Sequence, residues 1–87
     1  MKRRKLLARL VSGAVRNVDF DDFTGLVGVF GFVLVRESGS HHIYTRPGIP
    51  QLVNLQDVNG QAKPYQTRQF LRLVEKYNLT LMEEEHD

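Results

Sequence analysis

The sequence contains no cysteine, which excludes a disulfide scaffold and every site built on a thiolate. It also lacks a long hydrophobic run, because Arg9 and Ser12 interrupt the apolar residues that follow the basic N-terminus. That leaves neither a signal-peptide core nor a membrane span. No internal repeat is present. These absences predict a soluble, cytoplasmic protein, and 87 residues are enough for one small domain.

The charges are divided unevenly along the chain although the formal net charge is only +2. Basic residues crowd the N-terminus and acidic residues the C-terminus, so the body without its tail is distinctly basic. A basic body favours anionic partners, whereas a terminal charge run can also serve only to keep a protein in solution. The residues concerned are Lys2, Arg3, Arg4, Lys5 and Arg9 at one end and Glu83, Glu84, Glu85 and Asp87 at the other.

Three stretches place apolar residues at helical spacing and carry helix-end signals. The first is Lys2–Val11. The second follows Asp19, a typical N-cap residue, and ends at Gly31, a typical terminator. The third is Pro64–Tyr77, since proline suits the first position of a helix. Each stretch has an apolar side, so all three helices are expected to pack on a common core.

Between the second and third helices the residues favour strands. We predict strands at Phe32–Glu37, His41–Arg46 and Leu52–Gln56, separated by two turns, and then a polar loop at Asp57–Lys63. The order α-α-β-β-β-α predicts an α+β fold in which a three-stranded antiparallel sheet has helices packed on one face. The other face of the sheet is then accessible.

The residues best suited to proton transfer are His41 and His42, at the start of the second predicted strand. Imidazole titrates near neutral pH. Successive strand residues point to opposite faces, so only one ring lies on each face. If Ile43 packs on the helices, His42 is the exposed member, but the preceding turn could still direct His41 outward. Both histidines therefore remain candidates.

An exposed histidine among cations suits RNA cleavage, in which a 2′-hydroxyl attacks the adjacent phosphorus. Imidazole can take or give the proton, and hydrogen-bond donors in the turn can hold a phosphate oxygen. Cations on the last helix can grip neighbouring phosphates, with binding that weakens as salt rises. The residues expected to contact RNA are Gly39, Ser40, Tyr44, Lys63, Arg68, Arg72 and Lys76.

Less specific interpretations compete with catalysis. An adjacent histidine pair in a hairpin is often only a surface feature, and a basic helix stripe is often only solvated. A metal site is disfavoured because neighbouring strand histidines diverge and no nearby side chains complete a ligand set. The alternative functions are a non-catalytic module that binds structured RNA by shape and an interaction domain that pairs with another protein.

Four short motifs stand out in the sequence: Gly31-Phe32, Gly39-Ser40-His41-His42-Ile43-Tyr44, Asn54-Leu55-Gln56 and Gly60-Gln61-Ala62-Lys63-Pro64-Tyr65-Gln66. With these motifs the sequence resembles the HicA family of toxin–antitoxin mRNA interferases from about residue 17 to residue 79. This part lies between a basic N-terminal segment (1–16) and an acidic tail (80–87) that we expect to fray.

This resemblance implies a fold like that of the double-stranded-RNA-binding domain. It also implies a metal-free endoribonuclease without a cofactor, which cuts mRNA and arrests growth, and a HicB-type antitoxin that covers the histidine. In the family the histidine after Gly-Ser is catalytic. That position is His41 here, and it corresponds to His42 in members whose first position is not histidine.

The chain departs from the common family pattern at three places. Arg46-Pro47 stands where many members have His-Pro, and Asn54-Leu55-Gln56 stands where many have Pro-x-His. Both differences remove a possible helper histidine. The basic N-terminal helix is an addition to the minimal family domain.

Overall fold

The computed structural model describes residues 2–81, so the acidic part of the predicted tail, residues 82–87, lies outside the described residues. No helix within the described range is long and apolar enough to cross a membrane. In chain order the elements are α1 (Arg3–Val11), α2 (Phe20–Val29), β1 (Val33–Ser38), β2 (His41–Arg46), β3 (Ile49–Val58), β4 (Gln61–Ala62) and α3 (Pro64–Lys76).

Helix α2 is fixed at both ends by signals that the sequence carries. Asp19 is its N-cap, and its Oδ2 accepts a hydrogen bond of 3.0 Å from the backbone N–H of Asp22. Val18 and Phe23 lie on either side of this cap and are fully buried, as in a hydrophobic staple. Gly31 follows the helix with a φ of 93°, the left-handed conformation that ends many helices. The predicted cap and terminator are confirmed.

The strands form one antiparallel sheet in the order β1-β2-β3-β4. A two-residue loop joins β1 to β2, and its first residue, Gly39, has a φ of +60°, as a type II′ turn requires. The α+β fold with an antiparallel sheet is confirmed, although the sheet has four strands and not the predicted three.

The additional strand comes from the segment predicted to be a polar loop. Asn59 and Gly60 have φ values of +53° and +82°, the combination of a type I′ hairpin turn. They join β3 to β4, and Val58 lies opposite Gln61. The third strand, Ile49–Val58, is longer at both ends than the predicted Leu52–Gln56. The Asn-Gly signal was present in the sequence, but a strand of two residues is too short to show an alternating pattern.

The core lies between the helices and one face of the sheet. Its centre is Phe70 of α3, whose ring packs edge-on against three other phenylalanine rings at centroid distances of 5.4–5.7 Å. Helix α1 contributes Leu6 and Leu10, each 1% exposed, to the same cluster. The division between a basic N-terminal segment (1–16) and the domain that follows it (17–79) stays a prediction. The three rings that contact Phe70 are those of Phe23, Phe30 and Phe32.

Candidate active site

The two histidines lie on opposite faces of β2, and the burial of their neighbours shows which one lies on the helix side of the sheet. Tyr44, Val53 and Leu55 are at most 8% exposed and belong to the core on the helix side of the sheet. His42 shares the helix side with Tyr44, since the two are separated by one residue. His41 and Ile43 therefore lie on the face opposite the helices, here called the open face. Because Ile43 does not pack on the helices, the condition that favoured His42 as the exposed member is not met, and His41 is exposed.

Polar side chains from β3 surround His41 on the open face. The Nδ1 atom of His41 lies 3.4 Å from Oδ1 of Asn54, and Gln56 is directly opposite His41 in the strand pair. The Nζ of Lys63, just before α3, donates a hydrogen bond of 3.3 Å to Oε1 of Gln56. Asn54 Oδ1 can only accept, so Nδ1 of His41 is the donor in this contact, and Nε2 is the ring nitrogen that Asn54 does not engage. These four residues are called the His41 cluster.

His42 instead holds the hairpin against the rest of the fold. Its ring packs on Phe20 of α2 with a centroid distance of 5.0 Å, and its side chain is 16% exposed. Its Nδ1 donates a hydrogen bond of 3.1 Å to the carbonyl of Ser40, which also accepts the backbone N–H of Asp57 at 2.9 Å. The Nε2 lies 3.6 Å from Oε2 of Glu37. These contacts suit a residue that positions the turn before His41.

Tyr44 lies on the helix side and is buried, so its hydroxyl does not face the open surface. Burial raises the pKa of Tyr44 above its ordinary range, and the negative charges of Glu37 and Asp21 raise it further, while a hydrogen bond with Thr24 lowers it. We therefore leave Tyr44 out of the surface proposed to contact RNA.

The raised pKa of Tyr44 predicts a loss of stability at alkaline pH. A tyrosine with a folded-state pKa above its unfolded value of about 10 stabilises the fold fully below that pH. The contribution is lost as the pH rises through the folded-state pKa, because the unfolded chain releases the proton first. Urea unfolding at several pH values should show a steeper decline above about pH 10 in the wild type than in Tyr44→Phe. Equal slopes would rule out this contribution.

A comparison with models of protein families shows which family the chain belongs to. The family model described as the HicA toxin of bacterial toxin–antitoxin systems matches residues 20–75, more than half of the 87 residues. The chain belongs to the HicA toxin family. The match begins at the first residue of α2, so α1 lies outside it. No curated protein and no solved structure matches the chain. Family membership makes it a toxin of the kind that is paired with an antitoxin.

The basic stripe of this HicA toxin consists of Arg68, Arg72 and Lys76 on α3. It lies on the helix side of the sheet and not on the open face. All three of its members are exposed, and Lys76 lies 5.3 Å from the centroid of the Tyr77 ring. A groove of about 300 Å³ runs between β3 and α3, and both Arg72 and Asn54 line it. The groove thus places Arg72 beside one member of the His41 cluster, Asn54. Within residues 2–81 its lining does not include the other two basic residues of α3, Arg68 and Lys76.

A second cavity adjoins His42 and is unsuited to phosphate. It is open and has a volume of about 490 Å³. Among the described residues, its lining includes the carboxylates of Glu37 and Asp57 but no lysine or arginine. Gly39 and Ser40, the two residues of the β1–β2 turn, also line this second cavity. Within residues 2–81 no group of three or more side chains is placed to hold a metal ion.

Sequence reasoning on the HicA motif did not assign roles to Asn54 and Gln56, which the structure places beside His41. The signal that could have found them is the alternation of β3, where these polar residues are interleaved with Val53 and Leu55. Once the apolar pair is assigned to the core, the polar pair must lie on the open face.

Proposed function

We propose that this HicA-family toxin is an endoribonuclease that cleaves mRNA with His41 as its general base. The observation that carries the proposal is the exposed imidazole of His41 within the polar His41 cluster on the open face of the sheet. His42 is also an imidazole in the hairpin, but it is not exposed in the same way. Its ring is packed on Phe20, and both its nitrogens face protein atoms.

The reaction follows from what each member of the His41 cluster can do. Nε2 of His41 takes the proton of a ribose 2′-hydroxyl as its oxygen attacks the adjacent phosphorus. The bond from phosphorus to the 5′ oxygen breaks, giving a 2′,3′-cyclic phosphate, and the leaving oxygen takes a proton from water. Asn54 keeps the ring in the required tautomer, and Lys63 lies where its charge stabilises the developing phosphorane.

The substrate class follows from the same chemistry. The nucleophile belongs to the substrate, so RNA is cut and DNA is not. The groove with Arg72 lies beside the cluster and offers a cation to a neighbouring phosphate. Arg68 and Lys76 extend the same helix face for the RNA that continues beyond it.

The test is incubation of the purified toxin with end-labelled RNA and with DNA of the same sequence. We expect RNA fragments that end in a 2′,3′-cyclic phosphate, intact DNA, and unchanged cleavage with a metal chelator present. RNA that is bound in a salt-dependent manner but stays intact on long incubation would contradict the enzyme. That result would favour a module that binds structured RNA by shape.

We further propose that the antitoxin is of the HicB type and covers the open face. Support comes from the apolar residues Val33 and Val35 of β1, which are 60% and 57% exposed beside this face and are suited to a protein partner. Mixing the toxin with a HicB-type protein encoded beside it should protect His41 from diethylpyrocarbonate. Unchanged modification of His41 in a stable complex would place the partner elsewhere.

A further inference from the structure

A register shift in β1 brings an arginine to the open face. By simple alternation Arg36 shares a face with Leu34. In the structure the pairing with β2 shifts between these two residues, so that Leu34 lies opposite Tyr44 and Arg36 lies opposite Ile43. Directly opposed residues in an antiparallel pair have side chains on the same face. Leu34 is thus on the helix side with Tyr44, and Arg36 is on the open face with Ile43, because Val35 is the extra residue of a bulge.

The position of the next residue supports this assignment independently. Glu37 lies opposite His42, and its Oε2 is 3.6 Å from Nε2 of that ring on the helix side. Since successive strand residues point to opposite faces, Arg36 must point to the open face.

On the open face Arg36 flanks His41. Arg36, Ile43 and Asn54 form one row across three strands, because Ile43 is paired with both of the others. The ring of His41 leans toward this row, since its Nδ1 contacts Asn54. Arg36 is diagonal to His41, a separation of about 7–8 Å between Cα atoms that a long side chain spans. Within residues 2–81 no hydrogen bond or ion pair engages the exposed Arg36 guanidinium.

We propose that Arg36 is a catalytic residue whose guanidinium holds the non-bridging oxygens of the RNA phosphate that faces His41. The inference rests on the proposed function and specifies the substrate path. The RNA crosses the open face from Lys63 on one side of His41 to Arg36 on the other. A planar guanidinium donates two parallel hydrogen bonds to a phosphate, which a lysine ammonium does not. Arg36 therefore stabilises the negative charge that grows on the phosphorane.

Single-turnover cleavage by Arg36→Ala, Arg36→Lys and Arg16→Ala tests this role. Arg16→Ala is the matched control, because it removes an exposed arginine from the connector after α1. We expect Arg36→Ala to be slower by about 10²–10³-fold, as for loss of one transition-state donor, and the control to be unchanged. Arg36→Lys should recover part of the rate, since it keeps the charge but not the paired donors. A rate for Arg36→Ala less than about tenfold below that of the control would overturn the proposal, and any larger loss supports it.

Failure of the proposed function is recognised separately. In that case the wild type and His41→Ala both leave RNA intact, and binding of a 2′-O-methyl RNA then decides the role of Arg36. A contact with phosphate predicts that Arg36→Ala lowers the slope of log affinity against log salt by about 0.7–0.9 relative to Arg16→Ala. Equal slopes in the two folded variants overturn the proposal. Circular dichroism of each variant checks that the exposed substitutions leave the fold intact, as we expect.

Discussion

Replacing His41 by alanine is expected to slow RNA cleavage by about 10²–10⁴-fold, the usual contribution of a general acid or base. Among residues 2–81 the substitution removes the one imidazole on the open face, and the amide of Asn54 cannot take its place as a base. Stability should be almost unchanged, because the His41 side chain is exposed and its only hydrogen bond within residues 2–81 is the 3.4 Å contact with Asn54. Single-turnover cleavage and urea unfolding measure the two quantities.

His42→Ala is the matched control with the opposite expected pattern. It removes the packing on Phe20 and the bond to the Ser40 carbonyl, so it should cost about 1–3 kcal/mol of unfolding free energy. Cleavage by the folded fraction should stay within a few-fold of the wild type. If the folded His42→Ala variant lost cleavage while His41→Ala retained it, the two roles would have to be exchanged.

Replacing Phe70 by alanine is expected to lower the free energy of unfolding by about 3–5 kcal/mol. The ring is 1% exposed and is the shared partner of three edge-on aromatic contacts that join α2, α3 and the segment before β1. Its loss leaves a cavity where three elements meet. Small domains have a total stability of about 5–15 kcal/mol, so a large part of the fold's stability would be lost.

Urea unfolding followed by circular dichroism measures this effect, with Val11→Ala as the control. Val11 is apolar like Phe70 but is 70% exposed at the end of α1, so its truncation should change stability by no more than about 0.5 kcal/mol. A loss below about 1 kcal/mol in Phe70→Ala would show that the aromatic cluster is not the centre of the core.

The helices, the β1–β2 hairpin and the histidine pair in it were predictable from sequence because their signals are local, whereas the two-residue strand β4 was missed. Asp19 accepts a bond from a residue three positions along, and Gly39 adopts the conformation that its own turn requires. Pro64 begins α3 for a similar reason. The Gly-Ser-His motif identified the catalytic candidates in the same way, since its residues are neighbours in the chain.

The choice between His41 and His42 could be made only from the tertiary structure. Alternation states that adjacent residues point to opposite faces, but which face the helices cover depends on contacts between distant segments. The bulge at Val35 changed the face of Arg36 for the same reason, because a strand's register depends on its partner. Sequence alone therefore determined the three helices, the three longer strands and the histidine pair. Packing of the helices on one face of the sheet decided which imidazole and which arginine are exposed on the other.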